Sequence, residues 1–210
     1  MPSLATSPRP SLLRGTLSEC RRVLARHYAR LGPRSRQRRF MANLPDRTVR
    51  KIADRASPDI VLGIEAEDRI IGVLEVFRTQ DAHAEIGISV EDAYQGHGYG
   101  YALFLDGLVE AEKIGVRTAD LYFSCDNSGI RHLVTRAGGR IINRGAECEA
   151  HIDIPRCAEC HVRVPARPAL PPPDAAPTRR HERDDLTRKR LGHPIERRHS
   201  DENSHGPDVA

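Results

Sequence analysis

Six consecutive residues, Gln95-Gly96-His97-Gly98-Tyr99-Gly100, carry the clearest chemical signal in the chain. Glycines at alternate positions let a backbone turn sharply and bring its amides close to a ligand. The segment falls between a predicted strand and a predicted helix. Its amides therefore gather at a helix N-terminus, where the macrodipole favours an anion. That is the chemistry of a pyrophosphate cradle. A dinucleotide fold would want a third glycine at position 101, which is Tyr101, and an acid at the far end of the next strand. Asp120 stands at the wrong end of that strand and Asp126 is only loosely placed.

The cysteines and histidines offer weaker patterns. Cys157-Ala158-Glu159-Cys160-His161 matches a haem-attachment spacing, but it lies in a Pro-rich tail. A zinc set would join Cys148 and His151 to Cys157 and Cys160. Cys148 and His151 are three apart on a probable strand and so face opposite ways. Unliganded thiols and no metal are expected. Five cysteines, an odd count at irregular spacing, do not suggest a disulfide framework. The N-terminus has no apolar signal core, so a reducing, cytoplasmic setting is the expectation.

These residues need elements to position them. Residues 1–18 hold three prolines and read as a flexible arm, although Leu12 and Leu13 could begin a strand. Val23, Leu24, His27, Tyr28 and Leu31 recur at helical spacing and stop at Gly32-Pro33. A basic helix from Arg34 to Leu44 and a third starting at Pro45-Asp46 follow. After Ser57-Pro58 the period changes. Asp59–Ala66 and Arg69–Thr79 read as a hairpin about Glu67-Asp68. In the next strand Ala84, Ile86, Ile88 and Val90 alternate with Glu85, Gly87, Ser89 and Glu91. A helix over 101–114, a strand over 118–125, a helix over 127–137 and a last hairpin about Arg144-Gly145 complete the domain, 19–154.

The tail, 155–210, differs in kind. It holds nine of the 15 prolines, no aromatic residue, and seven Ile, Leu or Val among 56 residues. Such a segment cannot offset the entropy of ordering it, so disorder is expected. No run approaches the length of a membrane span. Charge is unevenly spread: residues 1–58 carry 14 Lys/Arg against 3 Asp/Glu, and residues 59–154 carry 8 against 17. An acidic body suits a cationic partner. The arginines 34, 36, 38 and 39 could meet nucleic-acid phosphates, but no aromatic interleaving supports that, and no nucleic acid is expected as a partner. A solvated face, or a rim for a cofactor phosphate, suits them better.

Gln95, Gly98 and Gly100 match Q/R-x-x-G-x-G/A, and the chain thereby resembles the GNAT acetyltransferase superfamily over about residues 12–154. Arg39-Phe40 after the first helix, and Glu85 before Ile86-Gly87-Ile88, resemble bacterial protein-lysine acetyltransferases of that superfamily. The resemblance implies an α/β fold with a mixed, mostly antiparallel central sheet flanked by helices. It implies acetyl-CoA as acyl donor, bound by Gln95, Gly96, His97, Gly98, Tyr99 and Gly100, with Ile88 and Val90 alongside pantetheine and Asn127 as a further contact. His97 is expected to supply only its backbone amide. The acceptor would be a primary amine, either a protein lysine or a small cationic amine.

Such an amine is mostly protonated near neutral pH, with a lysine reference pKa of about 10.4. Glu85 is the proton acceptor these residues suggest, and Glu75 the alternative. A backbone amide of the 88–90 strand would face the oxyanion. Two positions depart from the family. Val134 stands where many members have a tyrosine that protonates the leaving thiolate, and Gly139 replaces a usual phenylalanine. Water, Tyr122 or Ser124 would have to supply that proton. The rival reading is a non-catalytic acyl-CoA-binding module.

Overall fold

The computed structural model describes residues 9–79 and 82–154. The expected arm of residues 1–18 needs a correction at its end, because Pro10–Leu12 forms strand β1. It pairs antiparallel with β2, Ile60–Ala66. A proline is tolerated there because β1 is an edge strand. The tail from 155, with its expected disorder and its Cys157 and Cys160, lies outside the described residues.

The sheet has seven strands in the order β1-β2-β3-β4-β5-β7-β6. The later strands are β3 Arg69–Arg78, β4 His83–Val90, β5 Thr118–Ser124, β6 Arg140–Arg144 and β7 Glu147–Asp153. Every pairing is antiparallel except β4 with β5. Glu67 and Asp68 both take positive φ in the two-residue turn between β2 and β3. That backbone twist suits a tight hairpin, and a short acid such as Asp tolerates it.

One sheet face carries α4, Tyr99–Lys113, and α5, Ser128–Arg136. Leu103, Phe104, Leu133 and Val134 meet Leu62, Leu74, Ile86, Leu121 and Phe123 there in the main core. Gly107 is the contact point of α4, since a Cβ would run into Leu74. The opposite face carries α1, Leu17–Arg30, and α3, Asp46–Arg55, whose Leu24, Tyr28, Val49 and Ala53 pack on Val61 and Val73. α1 begins at Leu17, inside the arm expected over 1–18, because Thr16 and Glu19 form a reciprocal capping box. α2, Pro33–Phe40, has proline in its first turn and lies against β4 and β5.

Glu91 is not on the solvated strand face that alternation assigns to it. It is buried, and Arg30 donates to it from Nε at 2.6 Å. The five cysteines also divide differently from expectation. Cys125, just past β5, and Cys148 on β7 form a disulfide, while Cys20 is free. Residues near Cys125 pair with β7, Ser124 opposite Glu147 and Phe123 opposite Cys148, so sheet order brings the two sulfurs together across 23 residues of chain. Cys148 is therefore committed, and it points into the core away from His151. No described helix is long and apolar enough to cross a membrane.

Candidate active site

The site begins where two strands part. β4 and β5 pair at only three positions: His83 with Thr118, Ala84 with Ala119, and Glu85 with Asp120. β4 stays bonded to β3 out to Val90, and β5 to β7 out to Ser124. The two strands therefore diverge after Glu85, and the β5-facing side of Ile86–Val90 has no ladder partner in the sheet. Backbone amides in such a place need partners. An extended ligand with amides of its own can add to the strand edge and supply them.

The glycine loop stands at the wide end of this gap. A single 3-10 turn, Asp92–Tyr94, leads into it from β4. Gly96 and Gly98 take φ of 80° and 86°, a region that favours glycine, and Gly98 caps α4. Gly98 brings no capping side chain to the start of α4, and the dipole at that helix N-terminus favours an anion. Gln95 is exposed, and its NH2 group is engaged within the protein. Its amide donates to the Val90 carbonyl and to Ser35 Oγ, each at 2.9 Å, which fixes the loop to β4 and α2. His97 is partly buried, with Nδ1 lacking a partner and its ring 6.2 Å from that of Tyr99. Its side chain is thus turned inward, not out to solvent as a variable loop residue would be.

Val90 and Leu133 lie 3.8 and 3.9 Å from where a Gly100 Cβ would stand, so the start of α4 sits close over the gap. Ile88 and Val90 line it as partly buried side chains packed on the core. Asn127 caps α5, accepting from the Ile130 amide at 3.3 Å. Its carbonyl oxygen is thereby used, and its NH2 group remains the part that could meet a ligand.

The opposite sheet face at the narrow end carries the polar groups. Glu85 is exposed there beside Asp120. The alternative base, Glu75, is a different kind of carboxylate. It is 1% exposed and paired with Arg39, and the Tyr28 hydroxyl donates to it. Its carboxylate is thus enclosed beneath the helices and occupied by these two partners, whereas Glu85 is open. Arg39 crosses β4 at Gly87, where any Cβ would strike the guanidinium. Burial pushes the Tyr28 phenol far above its ordinary range.

Arg39 also breaks up the four-arginine cluster. Arg36 pairs with Asp46, and Arg38 reaches the Asp126 carbonyl at 3.4 Å. These side chains therefore do not form one phosphate patch. Val134 is fully buried in the core and has no route to a leaving group. Ser124 Oγ is bonded to Asp126 at 2.7 Å.

Sequence reasoning did not single out the Asp120–His151 contact, 2.5 Å between Oδ1 and Nδ1. The alternation of β7 does place Glu149 and His151 on one face. That they meet β5, and so stand beside Glu85, follows only from β7 inserting between β5 and β6.

A parted parallel strand pair with a glycine loop at its wide end defines a class of protein. The chain belongs to the acetyltransferase (GNAT) family, whose model matches residues 24–138, more than half of its length. A mycothiol acetyltransferase of Actinosynnema mirum is 34% identical over 79 residues, which cover 37% of this chain and 27% of that protein. The fold is similar to the GNAT domain of S. lividans PAT, with a TM-score of 0.57 and 18% identity over 70% of this chain and 90% of that one. The ribosomal-protein-S18-alanine N-acetyltransferase of Escherichia coli gives a TM-score of 0.52 at 18% identity, over 72% and 97% of the two chains. An N-acetyltransferase of Thermoplasma acidophilum, solved in complex with coenzyme A, gives 0.52 at 14% identity, over 69% and 98%. At these identities the likeness concerns the fold, and it bears out the mixed, mostly antiparallel sheet flanked by helices.

Proposed function

We propose that the chain moves an acetyl group from acetyl-CoA to a primary amine of a cationic acceptor, a protein lysine or a small molecule. The parting of β4 from β5, with the Gln95–Gly100 loop at its wide end, is the observation that carries the reading. β4 runs toward the loop, so a donor whose pyrophosphate meets the amides at 96–100 runs its pantetheine arm back along Val90 and Ile88. The thioester then lies near the narrow end, by Glu85. The acceptor nitrogen attacks the acyl carbon from the open sheet face, and Glu85 takes its proton directly or through one water. Asn127 meets the arm from the α5 side with its NH2 group.

The open face supports a cationic acceptor, because Glu85, Asp120 and Glu149 stand on it together. The functional unit is residues 19–154, with β1 added to its edge, working without nucleic acid, membrane or metal. The buried valine at 134 is the specific observation that favours the second reading, an acyl-CoA-binding module without turnover.

Two measurements separate the readings. Calorimetry with acetyl-CoA should show binding, and a screen of lysine peptides and polyamines with thiol detection should show CoA release. Binding without release by any amine moves the binding module ahead. Absence of binding removes both.

A further inference from the structure

Two residues beyond the last β4-paired position of β5 stands Tyr122, on the same sheet face as Glu85 and Asp120. It is one of few large side chains left open, 49% exposed in a chain with only five tyrosines. A two-residue step along a strand is about 6–7 Å, so the register sets Tyr122 on β5 just past the point where β4 and β5 part, with its hydroxyl turned toward β7. Its hydroxyl lies 3.4 Å from Glu149 Oε1. Glu149 Oε1 is in turn 3.4 Å from His151 Nε2, and His151 Nδ1 is 2.5 Å from Asp120. His83 Nδ1 closes the run at 3.5 Å from the other Asp120 oxygen. A phenol at the gap is thus wired to solvent-reachable imidazoles through two carboxylates.

We propose that Tyr122 is the general acid of the transfer reaction, with Glu149 and His151 positioning it and returning its proton. The proposal rests on the acetyl-transfer reading above. It fills the role that buried Val134 cannot play and that Ser124, bonded to Asp126, is not placed to play. The acceptor nitrogen forms the C–N bond, and the tetrahedral intermediate collapses. The C–S bond breaks with its electron pair on sulfur, and the Tyr122 O–H proton moves to that sulfur. The phenolate is then reprotonated from solvent along His151 and Glu149. A protonated amine loses two protons, one to Glu85 before attack and one to solvent as the intermediate collapses, and Tyr122 regains its proton from solvent, so protons balance without any further reactant.

The surroundings suit a proton donor. Partial burial, then the charges of Glu149, Asp120 and Glu85, hold the Tyr122 phenol above its ordinary value. The groups facing it are His83 and Glu85 on β4, Asp120 on β5, and Glu149 and His151 on β7. From β6, Arg144 reaches Glu149 at 3.2 Å and tempers its charge. The phenol therefore keeps its proton throughout the neutral range.

The test is a pH–rate profile, from about pH 6 to about pH 11, of the full chain and its Tyr122→Phe and Glu149→Gln variants, with acetyl-CoA and one good lysine peptide. Tyr122→Phe should lower kcat by about 10²-fold while acetyl-CoA affinity by calorimetry is unchanged. The wild-type rate should fall at alkaline pH toward that of the variant, as the phenol ionises. Glu149→Gln should move this alkaline fall to lower pH, because a charge that keeps the phenol protonated is gone. A purely structural tyrosine would produce neither pH effect. A Tyr122→Phe kcat equal to wild type, or an alkaline limb that Glu149→Gln leaves in place, overturns the proposal. If Tyr122→Phe fails to fold, the Glu149→Gln shift decides alone. Should the wild type itself bind acetyl-CoA and release no CoA with any amine, the transfer reading fails first and this proposal with it.

Discussion

Two glutamates two strand positions apart in register, 75 and 85, show how environment sorts identical side chains. Glu75 is sealed under α1 and α2 and answers Arg39 and Tyr28. Removing either member would leave the other charge buried and unpaired, a loss of about 3–5 kcal/mol, so the pair is structural. Glu85 is open to solvent at the narrow end of the gap. Glu85→Gln should keep acetyl-CoA affinity and lower kcat/KM by about 10²-fold or more at neutral pH. The deficit should shrink as pH rises, since more amine arrives already deprotonated. Equal profiles for the two proteins would return Glu85 to the status of a surface carboxylate.

At the scale of elements, the proposed donor site is one strand–loop–helix unit from His83 to Lys113. Its strand offers an unpaired edge, its loop offers amides, and its helix offers a dipole. Gly98 holds the hinge of that unit at φ 86°, where a β-branched residue is strained and would crowd the pyrophosphate approach. A folded Gly98→Val protein should lose acetyl-CoA binding in calorimetry. Retained affinity in that variant would falsify the placement of the donor.

For the whole molecule, stability should depend on acid through His27. Its ring is fully buried and its Nε2 lies 3.0 Å from Ser89 Oγ. Burial, then the charges of Arg30 and Arg39, pushes its pKa down to about 3. The unfolded chain, with an ordinary imidazole near 6.5, binds a proton first. Between those values the unfolded state holds more protons, so stability rises with pH through the window and is lost as pH falls from about 6.5 toward 3. Urea midpoints measured down this range should drop, and His27→Gln should flatten the slope. An unchanged slope would assign the acid loss to carboxylates instead. On composition alone, a chain ending at Pro155 should keep its thermal midpoint within about 5 °C and its cofactor affinity. A larger drop would make the last 55 residues part of the folded unit.

The order of helices and strands was legible along the chain because local period and turn chemistry are local properties. Ala84, Ile86, Ile88 and Val90 had to share a face, and Glu67-Asp68 had to turn. The Gln95–Gly100 loop was legible for the same reason: glycine spacing needs no distant partner to be read. Contacts between remote segments were not. Glu91 was expected in solvent by its parity, yet Arg30, 61 residues away, holds it inside. Cys125 and Cys148 looked like single thiols until β5 and β7 became neighbours. The Asp120–His151 pair, and with it the run that ends at Tyr122, depends on β7 lying between β5 and β6. Sequence alone thus determined which residues lie on which face of each element. Tertiary structure decided which faces meet, because strand order is set by burying the whole core at once, and no local pattern encodes that choice.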